Sequence, residues 1–115
     1  MLAGIIISTE QLDKMSEFYS IVLGIKPNNV DDSHVSFHFG DFKLIITTHD
    51  QVIGKSKDKY RTMINFAVDD IYKWYNKLLS LKIKIIQDPY TEDWGGHICT
   101  FEDIDENIIQ FIQIN

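Results

Sequence analysis

The sequence predicts an α+β fold made of two tandem βαβββ modules, whose curved mixed sheets enclose a cleft. The order strand, helix, short strand, hairpin runs from about residue 3 to 48 and returns from about 62 to 114. The helical segments 17–25 and 73–81 also share a spacing of aromatic and aliphatic residues. We therefore expect one domain with the following division: 1–115 as a whole, 1–50 for the first module and 62–115 for the second.

Composition and charge restrict the functions open to the chain. Its 115 residues are 44% hydrophobic and 24% charged, as in a globular domain with a buried core. The formal net charge of −6 argues against nucleic acid, which is bound by clustered Lys and Arg, and is compatible with a cationic ligand.

The sequence shows no membrane-spanning or export signal, which predicts a cytoplasmic location. No apolar run approaches the roughly 18 residues that a membrane span needs, so no membrane contact is expected. The N-terminal residues lack the basic region of a signal peptide. A single cysteine excludes an internal disulfide, and we therefore expect a cytoplasmic protein.

The first module begins with an apolar strand at 3–8. Ser8 and Gln11 have the spacing of a capping box, which predicts a helix directly after the strand. Gly24 suits the C-terminal end of that helix, and segment 26–30 predicts a weak edge strand because a proline interrupts it. The expected buried stripe of the helix is Leu12, Met15, Tyr19, Val22 and Leu23.

A hairpin completes the first module. Segments 34–39 and 42–48 alternate on either side of Gly40-Asp41, which predicts a two-residue turn. One predicted face is apolar and suits the helix: Phe37, Phe39, Phe42, Leu44 and Ile46. The other face is mixed: Ser36, His38, Lys43, Ile45 and Thr47. The polar, Lys-rich residues 51–61 that follow predict a loop between the modules.

The second module repeats this order. Segment 62–68 predicts a strand, Asp69 or Asp70 caps the next helix, and a short strand at 82–86 precedes a loop at 88–91. The strand is predicted to have two distinct faces: Ile64, Phe66 and Val68 on one, and Met63, Asn65 and Ala67 on the other. The predicted helix stripe is Ile71, Trp74, Tyr75, Leu78 and Leu79.

The last hairpin gives the second module its most informative face. Taking the four residues 103–106 as the turn predicts three cross-strand pairs: Phe101 with Ile108, Cys99 with Gln110, and His97 with Ile112. The predicted core face is then Ile98, Thr100, Ile109 and Phe111. The predicted second face is His97, Cys99, Phe101, Ile108, Gln110 and Ile112. An imidazole, a thiol and an amide among apolar side chains suit the wall of a binding pocket.

Two motifs within this arrangement carry a family resemblance. They are Glu-Phe-Tyr-x-x-x-Leu-Gly-Ile at 17–25 and Trp-Gly-Gly-His-x-x-x-Phe-x-Asp-x-Asp-x-Asn at 94–107. Together with the duplicated order, they resemble the vicinal oxygen chelate superfamily over essentially the whole chain. Its members include glyoxalase I, extradiol dioxygenases, fosfomycin-resistance enzymes and bleomycin-resistance binding proteins. The chain departs at the turn 103–107, where the family usually has Asp-Pro-Asp-Gly-Asn.

The resemblance implies a divalent metal held by His or Glu side chains from four strands. The positions that match in this chain are Gly4, Ile45, Met63 and Gln110. Glycine has no side chain, isoleucine is apolar, methionine is a poor ligand for hard or borderline ions, and glutamine offers only a neutral oxygen. We therefore expect no metal and no other cofactor.

The resemblance leaves three classes of function open. The first is a metal-free protein that binds a small, aromatic, cationic or antibiotic-like molecule, as bleomycin-resistance proteins do. The second is a metal-dependent lyase or transferase, glyoxalase-like or dioxygenase-like, with a non-standard ligand set such as His38, His97 and Gln110. The third is an accessory domain whose cleft is filled by its own side chains. No catalytic residue is assigned.

The first class leads to a set of candidate ligand-binding residues. Trp94 is included because an aromatic residue here often borders the cleft in the resembled proteins. A homodimer is expected because exposed strand edges need covering, and the cleft could form within one chain or between two. The candidates are His38, Ile45, Thr47, Met63, Asn65, Trp94, His97, Cys99, Phe101 and Gln110.

Overall fold

The structure, a computed structural model, describes all residues 1–115 and divides into two compact units, Met1–Gly54 and Lys55–Asn115. The first unit contains β1 (Gly4–Ser8), α1 (Leu12–Leu23), β2 (Asn29–Val30), β3 (His34–Phe39) and β4 (Phe42–Thr47). The second contains β5 (Met63–Ala67), α2 (Ile71–Ser80), β6 (Ile85–Thr91), β7 (His97–Glu102) and β8 (Ile108–Gln113). This order confirms the α+β class and the two βαβββ modules.

The first sheet has the strand order β1-β4-β3-β2, with β1 parallel to β4 and the other pairs antiparallel. Phe39 pairs with Phe42, so the two-residue turn at Gly40-Asp41 is confirmed, and Gly40 has the positive φ of 62° that the turn requires. The core against α1 consists of buried side chains from alternate strand positions: Ile7, Val35, Phe37, Leu44 and Ile46.

Helix α1 begins later than predicted. Ser8 is not its N-cap, because Ser8 is still paired with Thr47 as the last residue of β1. The hydroxyl of Thr9 instead accepts a hydrogen bond from the Gln11 N–H at 3.0 Å, and the helix starts after this turn. The C-terminal prediction is confirmed, since Gly24 is left-handed with φ of 69°.

The second sheet has the order β5-β8-β7-β6, with β5 parallel to β8 and the other pairs antiparallel. Asp70 caps α2, because its carboxylate accepts a hydrogen bond from the Lys73 N–H at 3.2 Å. The predicted helix stripe is only partly buried. Ile71 and Leu78 are fully buried, whereas Leu79 is 48% exposed.

Strand β6 differs most from its prediction. The predicted strand at 82–86 starts only at Ile85, because Lys82 takes a left-handed conformation with φ of 58° after α2. The predicted loop 88–91 is part of the strand, whose pairing with β7 is irregular at two places. A proline is tolerated here because β6 is the edge strand of the sheet.

The last hairpin has a five-residue turn rather than four. Glu102 pairs with Ile108, so the turn is 103–107, and Cys99 pairs with Phe111 rather than Gln110. A shift of one residue moves every side chain of a strand to the other face. The predicted faces of β5 and β8 are confirmed, and those predicted for β7 are wrong.

Neither α1 nor α2 has the length and apolar character needed to cross a membrane.

Candidate functional site

Each sheet has one face against its helix and one face without a helix, which we call the helix-free face. On the first sheet this face consists of Gly4, Ile6, Ser8, His34, Ser36, His38, Lys43, Ile45 and Thr47. On the second sheet it consists of Met63, Asn65, Ala67, Ile98, Thr100, Glu102, Ile108, Gln110 and Ile112. Six of the ten predicted binding residues lie on these two faces: His38, Ile45, Thr47, Met63, Asn65 and Gln110.

A compact polar group lies on the first helix-free face. The Asn29 Nδ2 atom is 3.2 Å from the Ser36 Oγ and 3.3 Å from the His38 Nε2, and these last two atoms are 3.2 Å apart. The backbone N–H of His38 also donates to the Asn28 Oδ1 at 2.9 Å. Two contacts therefore hold the His38 ring through its Nε2, and a third holds its backbone. Sequence reasoning missed Asn29, which only the edge pairing of β2 brings beside Ser36.

The rest of this face is mostly apolar or uncharged. Ile6 is 64% exposed, and Ile45 and Thr47 are half-buried. Lys43 is exposed and lies directly across the sheet from His38. The face therefore offers apolar contact beside a small number of hydrogen-bond donors.

Gln110 is the central polar group of the second helix-free face. It lies between Asn65 on β5 and Thr100 on β7, and its Nε2 donates to the Thr100 Oγ1 at 3.0 Å. This bond orients the amide and leaves its Oε1 without a protein donor. Met63 is 47% exposed and Asn65 is exposed as well. Thr100, which had been predicted to face the core, is thus a neighbour of Gln110.

Three predicted binding residues, His97, Cys99 and Phe101, lie on the opposite face of the second sheet. Cys99 and Phe101 pair with Phe111 and Ile109, both are fully buried, and Phe101 packs on Phe111 at 4.9 Å between ring centroids. Burial, helped by the negative charge of Asp88, raises the pKa of the Cys99 thiol to about 12. Cys99 is therefore a core residue and an unreactive thiol.

His97 and Trp94 border the β6–β7 connection. The His97 Nδ1 contacts the Thr91 Oγ1 at 3.1 Å, which ties the ring to β6 rather than to Gln110. Trp94 is 55% exposed and its ring lies against Gly96, where a Cβ atom would overlap it. The structure thus separates His97 from the Gln110 group, because the two side chains lie on opposite faces of the sheet.

Glu102 is a buried carboxylate that sequence reasoning did not single out. Its side chain is 2% exposed, and Lys59 donates to its Oε2 at 2.8 Å. Lys84 lies 2.9 Å from its Oε1, in an ion pair rather than an aligned hydrogen bond. Burial alone would raise the pKa of Glu102, but its interactions with Lys59 and Lys84 outweigh burial and hold the pKa below its usual value.

An open depression of about 490 Å³ lies elsewhere in the first unit, at the loops that follow β1 and β4. None of the ten predicted residues lines it. Its lining is Thr9, Glu10, Thr48, His49, Asp50, Val52 and Ile53.

Comparison with known families decides the relationship. The model of the Glyoxalase/Bleomycin resistance protein/Dioxygenase superfamily matches residues 2–111. The chain belongs to this superfamily. No curated protein matches the sequence.

Solved structures of glyoxalase-related proteins share the fold. A protein described as a glyoxalase/bleomycin resistance protein/dioxygenase family enzyme from Burkholderia phytofirmans PsJN is 16% identical, with a TM-score of 0.81 over 98% of each chain. Lactoylglutathione lyase from Agrobacterium tumefaciens is 15% identical, with a TM-score of 0.77 over 98% of this chain and 92% of its own. A structure described as a conserved domain protein is 18% identical, with a TM-score of 0.85 over 100% of this chain and 99% of its own.

The four residues that the resemblance matches to the superfamily's metal ligands do not suit a divalent metal. Gly4 pairs with Lys43, and a Cβ atom at Gly4 would overlap the Lys43 carbonyl oxygen, so the backbone leaves no room for a ligand side chain. Ile45 and Met63 present an apolar chain and a thioether, and Gln110 a neutral amide. Nowhere in the chain do three His, Cys, Asp or Glu side chains meet in a group that could hold a metal.

Proposed function

We propose that this superfamily member is a cytoplasmic protein that binds a small molecule on a helix-free face of a sheet, without the metal of the related enzymes. The proposal rests on the chemistry of the four residues that match the superfamily's metal ligands: Gly4, Ile45, Met63 and Gln110. Three of them cannot serve as ligands for a hard divalent ion, and the backbone at Gly4 is too close to Lys43 to admit a larger side chain.

The second helix-free face supports binding of a small organic molecule. Met63 offers an adaptable, partly exposed apolar surface, and Asn65 and Gln110 lie beside it with amide groups. Because Thr100 holds the Gln110 Nε2, the Gln110 Oε1 is the atom that is available to a ligand donor. A mostly apolar surface with a few oriented polar groups is typical of ligand sites.

The proposal extends to ligand class and assembly. An aromatic, cationic or antibiotic-like ligand fits apolar side chains with amide acceptors and the net charge of −6. A homodimer is proposed because β1 and β5 are edge strands, and Ile6 on β1 is 64% exposed.

The alternative of an enzyme with His38, His97 and Gln110 as its metal ligands loses support in the second unit. His97 pairs with Gln113, whereas Gln110 pairs with Thr100, so the two side chains point to opposite faces of the sheet. They cannot bind one ion from these positions.

A thermal-shift screen of aromatic and cationic compounds tests the proposal, because a ligand of the native state raises the midpoint by mass action. We expect hits whose shift is unchanged after chelator treatment and is reduced in Gln110→Leu. Ser16→Ala on α1 is the matched control and should keep the full shift. Hits that vanish with chelator and return with a divalent metal would contradict the proposal.

A further inference from the structure

We propose that Asn29 and Ser36 determine which nitrogen of the uncharged His38 ring carries the hydrogen, namely Nδ1, and that His38 and Lys43 together receive a carboxylate of a small-molecule ligand. The inference deepens the proposed function and rests on it for the ligand, but the tautomer can be measured without any ligand. It concerns only the helix-free face of the first sheet.

The tautomer follows from the donors around Nε2. The Asn29 Nδ2 can only donate, and it lies within 3.3 Å of both the Ser36 Oγ and the His38 Nε2. A hydrogen on the His38 Nε2 would therefore point at the N–H group of Asn29, so that two donors would face each other. The three atoms Asn29 Nδ2, Ser36 Oγ and His38 Nε2 are all satisfied when Nε2 is the acceptor and the Ser36 hydroxyl donates to it at 3.2 Å. The ring hydrogen then lies on Nδ1, because the bond made by one ring nitrogen sets the state of the other.

The Nδ1–H group of His38 is available to a ligand. It has no hydrogen-bond partner in the protein, whereas Nε2 has two, and the His38 backbone is held by the Asn28 side chain. His38 therefore presents one oriented donor, which costs less ordering on binding than a free ring would.

Lys43 adds a positive charge next to this donor. His38 and Lys43 are direct cross-strand partners on one face, a relationship that places Cβ atoms about 4.5–5.5 Å apart. Lys43 makes no ion pair, and the strand positions of this face contain no carboxylate. An N–H donor beside an unpaired ammonium recognises an anionic oxygen. The net charge of −6, which favours a cationic ligand for the protein as a whole, acts only weakly at this face, because charges beyond about 8 Å are largely screened in physiological salt.

Nitrogen-15 NMR of the imidazole rings at a pH of about 8, where an ordinary histidine is neutral, tests the tautomer. The His38 signals are assigned by their loss in His38→Asn. We expect the shift of a protonated nitrogen at Nδ1 and of a bare nitrogen at Nε2. Ser36→Ala and Asn29→Ala should each move His38 towards a mixture of tautomers. Ser16→Ala, with an unchanged spectrum, is the control.

Two results would overturn the tautomer assignment. The first is a protonated Nε2 in the wild-type protein. The second is an unchanged Nδ1-protonated ring in both Ser36→Ala and Asn29→Ala. Asn29 is exposed, so its replacement tests the contact even if the buried Ser36 variant unfolds.

Titration with benzoate, followed by the same His38 signals, tests the ligand class. Benzamide and benzylammonium are the neutral and cationic probes of similar shape. We expect benzoate to shift the Nδ1 signal at lower concentration than either, and Lys43→Met to weaken it roughly two- to fivefold, as for one exposed charge contact. Equal effects of the three probes, or a preference for benzylammonium, would overturn the carboxylate inference and leave the proposed function standing.

Discussion

The two β-hairpins of the molecule have the same role in their modules but very different turns. In the first, β3 and β4 meet at the two residues Gly40-Asp41, and both predicted faces of the hairpin are found. In the second, β7 and β8 are joined by five residues, 103–107, and every predicted pair is displaced by one. The strands of both hairpins alternate in a regular way, so the difference shows that the turn sets the register.

The side chain of Asp103 explains the longer turn. Its Oδ1 accepts hydrogen bonds from the backbone N–H groups of Asp105 and Asn107, both at 2.9 Å, and its Oδ2 accepts from the Asn107 Nδ2. The Asp103 N–H also donates to the Asn107 carbonyl, and Glu106 takes a left-handed φ of 63°. Asn107 is therefore part of the turn, although pattern alone assigned it to the strand.

The largest expected effect comes from Phe101, whose face depends on this register. On the helix face it is fully buried against Phe111, so Phe101→Ala should lower the free energy of unfolding by about 3–5 kcal/mol. Urea denaturation measures it, with Met63→Ala on the helix-free face as the control. If Phe101→Ala lowers the free energy of unfolding no more than Met63→Ala does, the result would favour the four-residue turn predicted from the sequence.

A smaller effect is expected for Glu102, which only the observed register brings to the helix-free face beside Ile108. Glu102→Gln removes the buried charge that Lys59 contacts, and should cost about 1.5–3 kcal/mol near neutral pH. Lys84 is 69% exposed and contributes less because of solvent screening. Urea denaturation at neutral pH measures the loss.

The contribution of the Glu102 carboxylate to stability should depend on pH. Because its pKa is lowered in the folded state, the ionised group stabilises the protein above its ordinary value of 4.5. That contribution is lost as the pH falls through the folded pKa. The stability difference between wild type and Glu102→Gln should therefore shrink as the pH falls below 4.5 and through the folded pKa, and a difference that stays constant as the pH is lowered from 7 through this range would contradict the ion-pair account.

The smallest expected effect compares the two turns directly. Asp103→Ala leaves two backbone N–H groups without their acceptor and should cost about 1–2 kcal/mol. Asp41→Ala in the two-residue turn removes an exposed side chain and should change stability by less than about 0.5 kcal/mol. Matched chemical denaturation of the two variants measures the contrast, and equal losses would contradict it.

Much of the fold could be predicted because it depends on local patterns. The duplicated order, the alternation of β3, β4, β5 and β8, and the caps Gly24 and Asp70 all follow from residue spacing. The Ser8 capping box failed because pairing of β1 with β4 extends through Ser8, and a long-range contact of this kind has no local signal.

The residues of the candidate site could be predicted only on strands whose face could be predicted correctly from the sequence. His38, Ile45, Met63 and Gln110 lie on helix-free faces, since short turns or parallel pairing fix their strands. Cys99 was assigned to the wrong face because its strand depends on how Asp103 folds the turn. A sequence signal was present, in that Cys99 and Phe101 together are more apolar than Thr100 and Glu102.

The metal content of the protein purified without chelator tests the central proposal most directly. We predict that inductively coupled plasma mass spectrometry finds only substoichiometric transition metal, because Gly4, Ile45, Met63 and Gln110 do not form a ligand set. One tightly held equivalent of Zn, Ni, Mn or Fe per chain, lost on Gln110→Leu, would contradict it.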